Sequence, residues 1–244
     1  MDIIAHRGAS GHAPENTLAA FDLAWRSGAD GIELDVHLSR DGRIMVHHDP
    51  GTVRTSGVDR QIADSDCAEL QMLDVGSWRG SEYQGQTLPT LEQVLTGVPR
   101  GRQVLIEIKS GPAIAPVLQQ VLSSADTAGI NIGLISFDAD TLLACQQVLP
   151  EIPCYWIIDH DEGGADRTPY PSSLIDQVLA YGFAGLDPNY RGIDGHFAAA
   201  VRAAGLKLLT WTVNDPAEAR RLRALDLTAL ATDYPDEIRQ TLKD

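Results

Sequence analysis

The segments GIELDV and VLIEIK each carry reactive side chains at a spacing of two: Glu33 with Asp35, and Glu107 with Lys109. Alternate side chains of a strand point to opposite faces, so each pair shares a face, while Ile32, Leu34 and Val36, and likewise Val104, Ile106 and Ile108, take the other. Any one of these acids alone reads as a paired strand-end residue, Glu107 bridging Lys109 for instance. Convergence of Glu33, Asp35 and Glu107 is harder to accommodate, because like charges raise one another's pKa unless a cation neutralises them. A bound divalent metal resolves the conflict. An all-oxygen ligand set favours a hard ion, Mg²⁺ or Ca²⁺, over zinc.

Seven histidines are present. His6 closes the apolar run IIAH and precedes Arg7 and a glycine-rich turn. In RIMVHHDP the pair His47-His48 closes another run, and only one of the two can share the inward face. Imidazole titrates near working pH, so two such bases at the rim of an acidic pit suggest a general acid and a general base. His12, His37, His160 and His196 read as solvated imidazoles in loops or at helix edges. Arg7 and Lys109 complete the inventory, because a guanidinium and an ammonium bind a phosphodiester and the extra charge of its transition state. For Arg7 the competing reading is a salt bridge to a rim acid. Phosphoryl chemistry is the inference.

These residues must be held by elements that the hydrophobic pattern lets one predict. Eight short apolar runs recur along the chain: IIAH, GIELDV, VLIEIK, IGLIS, CYWII, AGLD, KLLTWTV and LTALAT. Segments of helical period lie between them, several opening on Asn, Asp, Ser or Pro and closing on Gly. Strand-helix repetition implies parallel strands with crossover helices, and eight repeats predict an α/β fold of the (β/α)₈ TIM-barrel type over an open doubly wound sheet. In such a barrel the ends of several strands supply the catalytic residues. Asp41-Gly42 signals a hairpin after the second strand. The interval from Asp49 to about Leu88 is too long for a plain loop and reads as a small insertion over the mouth, held by Leu70, Leu73 and Trp78.

The 244 residues are read as one domain, since α/β barrels commonly reach this length. A formal net charge of −15 argues against broad attraction to nucleic acid or an anionic membrane. Cys67, Cys145 and Cys154 lack zinc-site spacing and read as reduced core thiols. The chain opens without a basic leader or a long apolar stretch, which points to the cytoplasm.

Taken in order, HRGASGHAPENTLAAF, GADGIELDVHLSRDGRIMVHHD, LPTLEQVL, IEIK, TWTVNDP and TDYPD resemble the glycerophosphodiester phosphodiesterase family, from His6 to about Asp236. The combination of HRG, PENT and AF with IExDV, DG and HD is the specific part. LDVGSW followed by LPTLEQVL is similar to small cytoplasmic bacterial members. The resemblance implies a metal-dependent barrel that hydrolyses small-molecule glycerophosphodiesters, such as glycerophosphocholine, to an alcohol and sn-glycerol 3-phosphate. It implies His6 and His48 as the acid-base pair, which selects His48 over His47, and Glu33, Asp35 and Glu107 as ligands of the divalent cation. It also implies Arg7 and Lys109 on the phosphate, Trp211 on the glycerol side, and Asn16 as a rim organiser. Two departures, Ser39 before the DG turn and the short VRTSG, bear on the leaving alcohol. A lysophospholipase D would use the same constellation but would want a more aromatic rim than Trp78 and Tyr83 provide. A non-catalytic phosphate-binding barrel would lack at least one of these histidines or acids, and all five are present. A sugar isomerase or aldolase on the same fold is disfavoured by the His-Arg pair on the first strand.

Overall fold

The computed structural model describes residues 1–159 and 168–243; His160 lies outside them. Its strands are β1 (Asp2–Ala5), β2 (Gly31–Leu38), β3 (Ile44–Val46), β4 (Gln103–Ile108), β5 (Asn131–Ser136), β6 (Cys154–Ile158), β7 (Gly185–Pro188), β8 (Lys207–Leu208) and β9 (Ala229–Thr232). All but β3 run parallel, in the order β8-β7-β6-β5-β4-β2-β1-β9. The two ends of that path meet. Thr228 N–H donates to Leu208 O, Ala231 N–H to Thr210 O and Val213 N–H to Ala231 O, each at 2.8 Å. The sheet is thereby a (β/α)₈ barrel, and the eight apolar runs of the sequence are its staves. β3 pairs antiparallel with β2 through the Asp41-Gly42 turn, where Gly42 adopts a φ of 75° that a β-carbon would strain.

Register follows from the alternation of side chains. Ile32, Leu34 and Val36 of β2, with Val104, Ile106 and Ile108 of β4, join the main core between sheet and helices. A slip of one residue would drive Glu33, Asp35 and Glu107 into that layer and turn six apolar side chains inward, at about 1.5–3 kcal/mol for each large one. The observed register sets Asp35 directly beside Glu107 on the neighbouring strand.

Helices lie between the strands, and several begin where a short polar side chain caps them. The helices are α1 (Leu18–Arg26), α2 (Val53–Ser56), α3 (Cys67–Leu70), α4 (Leu91–Thr96), α5 (Ala115–Ser124), α6 (Ala139–Val148), α7 (Ser173–Tyr181), α8 (Gly195–Ala203), α9 (Pro216–Arg223) and α10 (Pro235–Thr241). Thr17, Thr90, Asp138, Asp194 and Asp215 each accept from a backbone N–H of the first turn, which satisfies a donor that the helix itself leaves open. The longer helices turn an apolar stripe to the sheet, as Phe197, Ala198 and Val201 do on α8. Cys67, Cys145 and Cys154 are free, buried thiols.

The segment between β3 and α4 has a small core of its own, built from Met45, Ile62, Cys67, Leu70, Val75 and Leu88 with Leu73 packed against it. Trp78 stays 44 % exposed. With Arg79 it lines a small rim pocket shared with His6, Arg7, Glu15 and Asp233. Among the described residues no helix is long and apolar enough to cross a membrane.

Candidate active site

Arg7 begins the construction. It follows β1 in a left-handed conformation (φ 54°), which is strained for a residue with a β-carbon. The next residue must be glycine, because a β-carbon on Gly8 would stand 2.6 Å from the backbone carbon of Ala20 on α1. The strained turn aims Arg7 at the acids twice. Its N–H donates to Glu33 Oε2 (2.9 Å), and its Nε lies 3.3 Å from Asp35 Oδ2. Its Nη1 also donates to Glu15 (3.0 Å).

Glu33, Asp35 and Glu107 come together as the strand pattern requires: one oxygen from each lies within 4.8 Å of the others, and all three are buried. Asp35 is the best partnered. Asn16, 1 % exposed and itself left-handed, donates from Nδ2 to Asp35 Oδ2 (2.8 Å), and Lys109 Nζ stands 3.2 Å from Oδ1. Burial opposes ionisation of Asp35, yet Arg7, Lys109, His48 and Asn16 together hold its carboxyl below the ordinary carboxylate range. The other two move the opposite way. Burial first, then Asp35 and Glu107, push Glu33 well above its usual value, and burial with Asp35 pushes Glu107 up to about 7 although Lys109 Nζ is 2.5 Å away. Glu33 Oε1 has no hydrogen-bond partner. Oxygen donors that are buried, mutually repelling and partly unsatisfied suit a hard divalent cation, whose charge removes both penalties.

Two imidazoles border the same space, and each is held by an aspartate. Asp233 and Asp49 have pKa values near 2 and are ionised; burial opposes this, and hydrogen bonds outweigh it, from His6 and Asn214 in one case and from Arg54 and His48 in the other. The imidazole nitrogen facing each carboxylate must therefore be the donor. His6 Nδ1–H donates to Asp233 Oδ1 and His48 Nδ1–H to Asp49 Oδ1, both at 2.7 Å. That leaves Nε2 of each ring for the cavity. Burial lowers the His48 pKa, with Asp35 and Asp49 opposing and Arg7 reinforcing the shift. His47 is turned away: it is 3 % exposed, burial brings it to about 4, and it does not line the cavity.

The cavity measures about 610 Å³ and is lined by His6, Arg7, Glu33, His48, Glu107 and Lys109 on one side. Phe137, Asp187 and Trp211 line it as well. Trp211 Nε1 donates to the backbone oxygen of Asp187 (2.8 Å), and its ring meets Phe137 edge-on at 5.7 Å. Of the nine side chains singled out from the sequence, seven stand on the cavity wall, Asp35 lies beneath its surface, and Asn16 is buried against Asp35 and not at the rim.

Comparison with known proteins identifies the family. Residues 6–237 match the model of the glycerophosphoryl diester phosphodiesterase family. The chain belongs to that family. It is an enzyme, a glycerophosphodiester phosphodiesterase. Among similar proteins, YhdW of Bacillus subtilis is 37 % identical over 242 residues, 98 % of this chain and 96 % of YhdW. A glycerophosphodiester phosphodiesterase of Caldanaerobacter subterraneus is 30 % identical, over 97 % of this chain and 95 % of its own. A phosphodiesterase of Oleispira antarctica, solved in complex with the product sn-glycerol-3-phosphate, superposes with a TM-score of 0.92 at 32 % identity, covering 100 % of this chain and 97 % of that one.

Several residues of this phosphodiesterase escape a reading of its sequence. His37, expected as a solvated imidazole, is 8 % exposed on β2 and donates from Nε2 to His48 O (3.0 Å), so it fixes the backbone that carries His48. The signal was there, since His37 shares the parity of Glu33 and Asp35. Asp49, Asp233, Arg54, Glu15 and Asp187 were not singled out. Asp187 follows the same parity rule on β7, where Leu186 joins the core and Asp187 the cavity. Of the other histidines, His12 and His196 are exposed.

Proposed function

We propose that the chain hydrolyses glycerophosphodiesters to an alcohol and sn-glycerol 3-phosphate, with Glu33, Asp35 and Glu107 holding a divalent cation, Mg²⁺ or Ca²⁺, and with His6 and His48 as the acid-base pair. Residues 1–244 act as one domain, with about 49–88 as an insertion after the second strand. The observation that carries the reading is the pair of imidazoles, each held at Nδ1 by an aspartate at 2.7 Å, bordering the cavity that Glu33, Glu107, Arg7 and Lys109 also line. Similarity to a structure that contains sn-glycerol-3-phosphate supports the substrate class.

Each group has a role that follows from its chemistry. Arg7 and Lys109 hold the phosphate and stabilise the charge that grows on its oxygens. One imidazole takes a proton from the nucleophile through Nε2, and the other gives a proton to the leaving alkoxide. Asp49 and Asp233 keep Nδ1 protonated on both rings, so that Nε2 is the nitrogen that exchanges protons with substrate. When bound, the cation polarises a phosphate oxygen and lowers the pKa of a nearby hydroxyl or water. Trp211 lines the side that takes glycerol.

The test is release of sn-glycerol 3-phosphate from a panel of glycerophosphodiesters and lysolipids, with chelator and then with Mg²⁺, Ca²⁺ or Mn²⁺ restored. Activity should vanish with chelator and return with a divalent ion. Because burial and the neighbouring acids push Glu107 up to about 7 and hold Glu33 well above its usual value, calorimetric titration of the cation in two buffers should show protons released on binding. Chelator-resistant activity with no cation binding would remove the metal from the reading.

A further inference from the structure

Three cavity-lining residues have a buried polar atom with no hydrogen-bond partner among the described residues. Glu33 Oε1 and Arg7 Nε belong to the cluster of acids and cations; the third atom is Asp187 Oδ1. Asp187 is 4 % exposed, and two side-chain donors beside its strand end bond backbone oxygens instead of its carboxyl. Thr210 Oγ1 donates to Pro188 O (2.7 Å), and Trp211 Nε1 donates to the backbone oxygen of Asp187 itself, leaving the carboxyl aside. A buried oxygen left without a donor is costly, and native proteins keep one where a ligand supplies the missing partner.

What surrounds the carboxyl identifies that ligand. Ile4, Leu105 and Leu209 lie two residues before His6, Glu107 and Trp211 in the chain, one layer deeper in the barrel, and they line the cavity with Ile135, Ile157 and Ala231. Apart from Asp187, that layer of the lining is apolar. It suits a small group of constant size that has both methylene faces and a hydroxyl to donate. Glycerol has both. The leaving alcohol varies in size and must depart, so it takes the mouth, on the side of the segment between β3 and α4.

We infer that Asp187 is the specificity-determining residue that accepts a hydrogen bond from a hydroxyl of the substrate's glycerol, so that the enzyme selects glycerol-bearing phosphodiesters. This rests on the reaction proposed above, and its test is a binding measurement that needs no turnover. The cation-loaded protein is titrated by calorimetry with sn-glycerol 3-phosphate and with propyl phosphate, which keeps the three-carbon chain and the phosphate but lacks both hydroxyls. Wild type should prefer sn-glycerol 3-phosphate by roughly 10–100-fold, the cost of leaving a buried acceptor without its donor. Asp187→Leu and Asp187→Ala should bring that preference to within about threefold while propyl phosphate binding is kept, and Asp187→Asn should retain most of it. An unchanged preference in either apolar variant overturns the inference. So does a wild-type preference near one, which decides the matter even if neither apolar variant folds. A protein that shows the Asp187-dependent preference yet releases no sn-glycerol 3-phosphate refutes the reaction and leaves the binding role standing; one that turns over normally with the preference unmoved in Asp187→Leu does the reverse.

Discussion

His6 and His48 present the same geometry by different means. Each donates from Nδ1 to an aspartate at 2.7 Å, but Asp233 comes from the far end of the chain, 227 residues away, whereas Asp49 is the next residue. Neutral donors brace Asp233: Ser10 Oγ at 2.9 Å and Asn214 Nδ2 at 2.6 Å. A charged one braces Asp49: Arg54 Nε at 2.6 Å, on α2, with its two Nη atoms donating to Glu15 at 2.9 and 2.8 Å. The first histidine is thus locked by closure of the barrel, since β9 must reach β1 before Asp233 is in place. The second is locked by an ion-pair chain, His48–Asp49–Arg54–Glu15–Arg7, that depends on a four-residue helix outside the barrel repeat. A framework holds one, and local electrostatics hold the other.

The largest effect should come from the rings themselves. His6→Ala and His48→Ala should each lower kcat by roughly 10²–10⁴-fold with the cation still bound. Substrate choice then breaks the symmetry between them. A diester with a nitrophenol leaving group needs no general acid, so the variant that recovers activity on it identifies the acid, and the one that stays inactive identifies the base. Near-normal turnover of glycerophosphocholine in both variants would end the assignment.

The aspartates come next. Asp233→Ala and Asp49→Ala should each cost roughly 10–100-fold in kcat, because a ring free to rotate or to change tautomer loses its aim. Asp233 adds a stability effect whose sign is fixed. Its pKa is near 2 in the folded protein against an ordinary 3.8, so folding favours the ionised form. That contribution, on the order of 2 kcal/mol, is complete above about pH 4 and is lost as the pH falls towards about 2. Asp233→Asn should therefore flatten the fall of stability between those limits, read from denaturant midpoints at each pH. A midpoint curve parallel to wild type would contradict it.

The same contrast explains what could be read from the sequence. Period-two alternation in GIELDV and VLIEIK already puts Glu33, Asp35 and Glu107 on the inner face, and the barrel register turns that into contact. Eight apolar runs with capped helices between them are enough for the architecture. Asp233 carries no such signal, because its partner is 227 positions away and only ring closure brings them together. Arg54 is hidden for the opposite reason: it sits in a short irregular segment where no periodicity assigns a face. Asp187 reads as the polar end of a buried strand until its unpartnered oxygen is seen.

The smallest effect separates the two supports most cleanly. Arg54→Ala and Asn214→Ala each remove one brace and leave the His-Asp hydrogen bond in place, so each should lower kcat/KM only a few-fold, roughly 2–10 times. Salt should then distinguish them. Arg54 is 43 % exposed, and its attraction to Asp49 and Glu15 falls as the screening length shrinks to about 3 Å near 1 M salt. Asn214 is neutral, and its hydrogen bond to Asp233 has no comparable dependence. Salt also screens Arg7 and Lys109 from the phosphate, a loss common to every variant, so the informative quantity is the ratio of variant to wild type from about 0.05 M to about 1 M salt. For Arg54→Ala that ratio should rise towards one, because wild type loses the brace that the variant never had. For Asn214→Ala it should stay flat. Parallel ratios for the two variants would mean that the two histidines are supported alike and that the charged chain to Glu15 adds nothing to the position of His48.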